Sequence, residues 1–194
     1  MDTTGYVKKQ TLYLAMLGAL IVGFVGGVAY SVYFTPAAST AQLSQQQQQQ
    51  QMAELITQLE QASKDHPEEV ATWVQLGHAY FDSGQAGKAI AAYNKALELQ
   101  PGDLNVMTDL GVMYHQNKQH KKAIELFDQV LALDPKHEQS RFNKGVVLLT
   151  GLNDRKAALT EWKTLVKYHP MAAAPSGKMV GDLIDQLEAS QDKQ

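Results

Sequence analysis

Six histidines are the side chains of this 194-residue chain best suited to ligate a metal or shuttle protons, because the sequence contains no cysteine. Without cysteine the chain has no disulfide, no thiolate-bound zinc or iron–sulfur cluster, no covalent haem attachment and no thiol nucleophile of its own. His115 and His120 stand five apart, a poor spacing for two ligands on one helix face, while His66 and His169 each directly precede a proline. No Ser-His-Asp order, glycine-rich phosphate loop or paired metal-ligand spacing is present. The 20 Asp and Glu are dispersed like solvated faces, and against 17 Lys and Arg they leave a net charge of −3, so no basic surface offers itself to nucleic acid. The expectation is a chain that is not an enzyme, takes no cofactor or metal and binds no nucleic acid.

If the residues do not perform chemistry, the elements that carry them must present a surface. Prolines punctuate the chain at Pro67, Pro101, Pro135 and Pro170, a period of 34 or 35 residues. Within 70–103 the order is Trp73-x-x-Leu76-Gly77-x-x-Tyr80, then Ala89, Tyr93, Ala96 and Pro101. Residues 104–137 repeat it as Leu110-Gly111-x-x-Tyr114, Ala123, Phe127, Val130 and Pro135, with Met107 in place of the first aromatic. Residues 138–171 form a degenerate third copy with Gly145, Leu148, Ala158, Trp162, Leu165 and Pro170. There Lys144 replaces an expected Leu, and the Thr150–Arg155 turn holds one extra residue. This order resembles the tetratricopeptide (TPR) repeat, two antiparallel helices whose small residues permit close approach.

The fold class expected is all-α, a TPR helical-hairpin solenoid of about three repeats plus capping helices, preceded by one N-terminal transmembrane helix. A half-repeat over 52–69 carries Leu55, Ile56, Leu59 and Ala62 on one face. Beyond Pro175 and Gly177, the i, i+3, i+4, i+7 spacing of Val180, Leu183, Ile184 and Leu187 predicts a capping helix over 177–190, closing a TPR domain of 52–190.

Upstream, 12–34 holds no charge and is rich in Leu, Ile, Val and Phe, long enough for a helix to cross a hydrocarbon core of about 30 Å. Lys8 and Lys9 precede it and the next basic residue is Lys64, which places the short N-terminus, 1–11, in the cytoplasm and the rest across the membrane. Its length argues for an uncleaved anchor over a signal peptide. Ala15, Ala19, Gly23, Gly27 and Ser31 form a stripe of small residues through which two copies could pair as a homodimer. Residues 35–51, with the glutamine run 45–51, read as a flexible linker in preference to the alternative, a backward extension of the following helix.

In such a solenoid the first helix of each repeat lines the concave face. Positions 2, 5, 9 and 12 are Ala71, Val74, His78 and Phe81, then Asn105, Thr108, Val112 and His115, then Gln139, Phe142, Val146 and Leu149. From these, the candidate peptide groove comprises Val74, His78, Phe81, Asn105, Thr108, Val112, His115, Phe142, Val146 and Leu149, with Phe81 and Phe142 as aromatic anchors. TPR domains that grip the C-terminal carboxylate of heat-shock chaperones place Lys and Asn, then Lys and Arg, where this chain has Val74 and His78, then Gln139 and Asn143. That clamp is absent.

The segment Ile56-Thr-Gln-Leu59 through His66-Pro67-Glu68-Glu69 to Trp73-x-x-Leu76-Gly77-x-x-Tyr80 is similar to the start of the TPR region of c-type cytochrome biogenesis proteins of the CcmI and NrfG type. Phe142-Asn143-x-Gly145-Val146-Val147-Leu148 and Ala158-x-x-x-Trp162-x-x-Leu165 extend the likeness, which covers about 52–188. The chain departs from the CcmI type in having one anchor helix where that type has two. The resemblance implies a periplasmic domain at the bacterial inner membrane that binds an apocytochrome c segment and serves the haem-ligation machinery. The alternative function is a general periplasmic scaffold or chaperone for a membrane-associated complex.

Overall fold

Proline cannot donate a helical hydrogen bond, and each of the four periodic prolines sits just beyond a helix end. A computed structural model of the protein describes residues 37–190 together with Phe24. Those residues form eight helices: α1 (Ala37–Asp65), α2 (Val70–Asp82), α3 (Ala86–Leu99), α4 (Leu104–Gln116), α5 (His120–Leu133), α6 (Glu138–Thr150), α7 (Arg155–Tyr168) and α8 (Val180–Ala189). From α2 onward each helix packs on the next, as a helical-hairpin solenoid requires. The only strand-like pairing among the described residues is an isolated bridge between Ala173 and Met179.

Local chemistry sets the helix boundaries. Asp103 caps α4 by accepting from the backbone N–H of Asn105 and Val106 at 2.9 and 3.1 Å, and Asp154 caps α7 by accepting from Ala157 N–H at 2.9 Å. Between the two helices of each repeat the chain turns through a left-handed residue: Gly84 (φ 72°), Lys118 (φ 60°) and Asn153 (φ 55°). Only the third of these turns is one residue longer, as the sequence spacing requires.

The hairpins close where an aromatic ring of the second helix lies over a glycine of the first. Tyr93 covers Gly77, Phe127 covers Gly111 and Trp162 covers Gly145. Tyr93 and Phe127 are fully buried, as are Ala89, Ala123 and Ala158 alongside. Trp162 also donates its indole N–H to the Phe142 carbonyl at 3.1 Å.

Lys144 does not disrupt the third copy, because it is paired. Its ammonium lies 2.7 Å from Asp128 Oδ1 and 2.6 Å from Glu161 Oε1, while Arg141 reaches Glu161 Oε2 at 2.7 Å. Burial works against the Lys144 charge, but the hydrogen bonds to Asp128 and Glu161 outweigh it and hold its pKa above the ordinary lysine value.

Both caps form. Ile56 and Leu59 of α1 join the core of the first repeat, and Tyr80 donates its hydroxyl to Glu60. Burial and that bond push the Tyr80 phenol up to about 12. Leu55, expected on the same face, is 44 % exposed and faces solvent. At the other end Val180 and Ile184 of α8 are buried against the third repeat, and Arg155 donates to the Leu187 carbonyl at 3.1 Å.

The linker expectation is corrected from Ala37 onward: the glutamine run is part of α1. Glutamine is a good helix former, and after Pro36 neither proline nor glycine interrupts the chain before Pro67, so a helix seeded by the packed residues Ile56 and Leu59 propagates backward. The predicted span 12–34, with its small-residue stripe, lies outside the described residues apart from Phe24. Among the described residues no helix is long and apolar enough to cross a membrane.

A Cβ at Gly111 would sit 2.6 Å from the Phe127 ring. Gly111→Leu should therefore lower stability by at least about 3 kcal/mol, the upper end of ordinary overpacking, seen as a fall in melting temperature by circular dichroism. An unchanged melting temperature would mean that the ring does not rest on this glycine.

Candidate functional site

Helices α2, α4 and α6 carry the expected concave positions, and the structure sorts them by accessibility. His78 and Asn105 are exposed, as are Ala71 and Gln139; Val74, Phe81, Val112, His115, Phe142, Val146 and Leu149 are half-buried. Val74, Phe81 and Val112 pack along the edge of the core shared by the first two repeats. Phe142, Val146 and Leu149 instead pack against the separate cluster built with α8. Phe142 stacks on Trp162 with ring centroids 6.0 Å apart and planes 18° from parallel, so it is as much a core residue as a groove anchor. One edge of it still borders a cavity of about 440 Å³ with Gln139, Asn143 and Pro175.

Thr108 is a correction: it is fully buried and unavailable to a ligand. Its hydroxyl donates to the Leu104 carbonyl at 2.6 Å, so the 2.6 Å contact with Ser140 Oγ has Ser140 as donor. This hydroxyl pair satisfies two polar groups between α4 and α6, and binding is not its role.

His115 and His120 do not share a helix face, yet they meet. Five residues would separate them on one helix, but a turn intervenes: His115 ends α4 and His120 begins α5. Their Nδ1 atoms come within 2.9 Å, which requires one ring to donate and the other to accept. His115 Nε2 lies 3.4 Å from Thr150 Oγ1 of the next repeat. Among the described residues no three metal-ligating side chains gather.

A residue outside the expected set belongs to this face. Asp109, at the sixth position of its repeat, lies 3.4 Å from His78 Nε2. Burial raises its pKa, Asp103 and Asp82 add to that, and His78 opposes it. The signal for it in the sequence is positional: the sixth position is one at which a carboxylate clamp holds a cation, and here it is acidic. A second hollow, about 500 Å³, opens away from the first-helix face where α3, α4 and α5 meet, between Leu97, Met107, Leu126 and Leu133.

Residues 36–173 match the family model described as the cytochrome c-type biogenesis protein H TPR domain. No protein of curated function matches the chain. Among solved structures, MamA superposes with a TM-score of 0.59 at 19% identity, over 65% of this chain and 73% of that one. The first TPR of Spaghetti (RPAP3), bound to the HSP90 peptide SRMEEVD, superposes with a TM-score of 0.56 at 15% identity, over 64% and 94%. The Sgt2 TPR domain from Aspergillus fumigatus gives 0.56 at 18% identity, over 64% and 80%. At these identities the three structures establish the fold alone.

Burial, and then the charge of His120, lower the pKa of His115 from its ordinary 6.5. The unfolded chain therefore binds this proton more readily than the folded one, so stability falls as pH drops below about 6.5 and is unaffected by this group above it. Part of the fall in melting temperature between about pH 7.5 and about pH 5.5 should disappear in His115→Gln. A fall of the same size in that variant would remove His115 from the account.

Proposed function

This chain belongs to the cytochrome c-type biogenesis protein H TPR family, and from that premise we propose that it is a membrane-anchored adaptor or chaperone. It holds a peptide or helix of a client, an apocytochrome c, and presents it to the haem-ligation machinery. The observation that carries the reading is the part-open first-helix face of repeats one and two. There Val74, Phe81 and Val112 offer apolar surface, with His78, Asn105 and His115 offering hydrogen bonds beside it. An amphipathic helix would lay its apolar side on the first set and its polar flank on the second. Helices α1 and α8 cover the apolar ends of the stack, which leaves the first-helix face between them for a client.

The uncharged stretch 12–34, behind Lys8 and Lys9, supports a single-pass anchor in the bacterial inner membrane with the repeats in the periplasm. A reporter enzyme active only outside the cytoplasm, fused after Gln194, should be active. Activity of a cytoplasmic reporter at the same position would reverse the orientation.

Binding is tested with the full-length protein in detergent micelles, titrated with C-terminal peptides of c-type apocytochromes. Phe81→Ala should weaken the interaction about thirtyfold, the equivalent of about 2 kcal/mol. Phe142→Ala should lower the melting temperature as well, because it unstacks Trp162. Loss of binding in Leu133→Glu with none in Phe81→Ala would move the site to the hollow where α3, α4 and α5 meet. Absence of apocytochrome binding, with capture of an intact membrane complex, would favour the general scaffold.

A further inference from the structure

Two unmet electrostatic demands converge beside the groove. The Asp109 carboxylate is largely withdrawn from water, its side chain 22% exposed, and among the described residues its charged partner is His78, with Nε2 at 3.4 Å. A histidine supplies a charge only when protonated, and this one is half exposed. Next to them Tyr93 is fully buried, and its hydroxyl has no hydrogen-bond partner among the described residues. The His78 ring meets Tyr93 edge-on with centroids 5.6 Å apart. His78 thus borders both the Asp109 carboxylate and the Tyr93 ring, and burial first, then the charges of Asp109 and Asp82, push the Tyr93 phenol above its ordinary pKa. An unpartnered buried hydroxyl is costly, and so is a desolvated carboxylate without a permanent cation.

We infer that this spot receives the charged head of a lysine or arginine carried by the client peptide. The ammonium or guanidinium donates to the Asp109 carboxylate and to Tyr93 Oη, while Asp82 adds negative charge from the end of α2. A cation answers both demands at once: it supplies the missing charge and gives the phenol oxygen a donor. A carboxylate would be repelled, and an apolar side chain would leave both groups as they are. His78 must swing aside, and its exposure lets it do so without breaking core packing. The polarity is the reverse of the carboxylate clamp, which sets cations on the peptide-facing positions. This inference rests on the groove reading of the preceding section and adds what the groove selects.

The test is a peptide-display selection on the full-length protein in detergent micelles, followed by titration of a resynthesised winner. Enriched peptides should share Lys or Arg at one position, and changing that residue to norleucine should weaken binding about tenfold. In Asp109→Asn the tenfold difference should vanish. Tyr93→Phe should shrink the difference too, while leaving the free protein at least as stable, since it deletes an unpaired buried hydroxyl. If Asp109→Asn does not fold, the Tyr93→Phe result decides alone. Retained peptides with no basic preference, or a lysine effect of equal size in both variants, would overturn the cation site while leaving the groove intact. Retention of no peptide at all would overturn the groove and the cation site together.

Discussion

An aromatic ring seated on a glycine sets the distance between the two helices of every repeat, and the rest of the stack takes its geometry from that contact. The ring fills the volume that a side chain on the first helix would need, so glycine and aromatic are one unit of shape. Ala89, Ala123 and Ala158, fully buried beside the rings, keep the second helix equally slim. Once the pair is locked, the remaining faces of the first helix have fixed directions, and an open face for a partner follows as a by-product of core packing. Tyr93 differs from Phe127 and Trp162 in one respect. Its ring does the same steric work, but its hydroxyl carries an unpaired polar group into the interior, next to the surface where a partner would sit.

The repeats were legible because periodic packing leaves a periodic record. The prolines, Gly77, Gly111 and Gly145, the aromatic rings and the alanines recur at fixed intervals, and each interval maps onto a contact. The groove was less legible, because counting positions on one helix says nothing of what the neighbouring helix places opposite. Thr108 occupies a concave position by count, yet Ser140, from the next repeat, meets its hydroxyl and closes the site. The spacing of His115 and His120 rightly keeps them off one helix face, but it does not show that a turn folds one ring back on the other. The glutamine run has no apolar pattern of its own and takes helical form as the continuation of a packed segment, so composition alone leaves tether and helix both open.

The third repeat shows how far the pattern can be altered. Lys144 puts a charge where leucine is expected, and the fold accommodates it with Asp128, Arg141 and Glu161 drawn from three helices. Such a cluster contributes little net stability compared with apolar side chains of the same volume, but losing any one member strands the others.

That cluster also sits where the interior changes hands. One apolar core joins α1 with the first two repeats, and another joins α7 with α8. Between them the smaller group of Ala123, Phe127 and Val147 provides the apolar continuity, flanked by the four charged side chains. In a linear array, cooperativity passes from neighbour to neighbour through each shared face, and here that face is the fully buried Ala123, Phe127 and Val147 with one crossing ion pair, Lys144–Asp128, beside them. The two larger cores are therefore coupled through one small shared face, and the side chains of that face carry the cooperativity of the repeats.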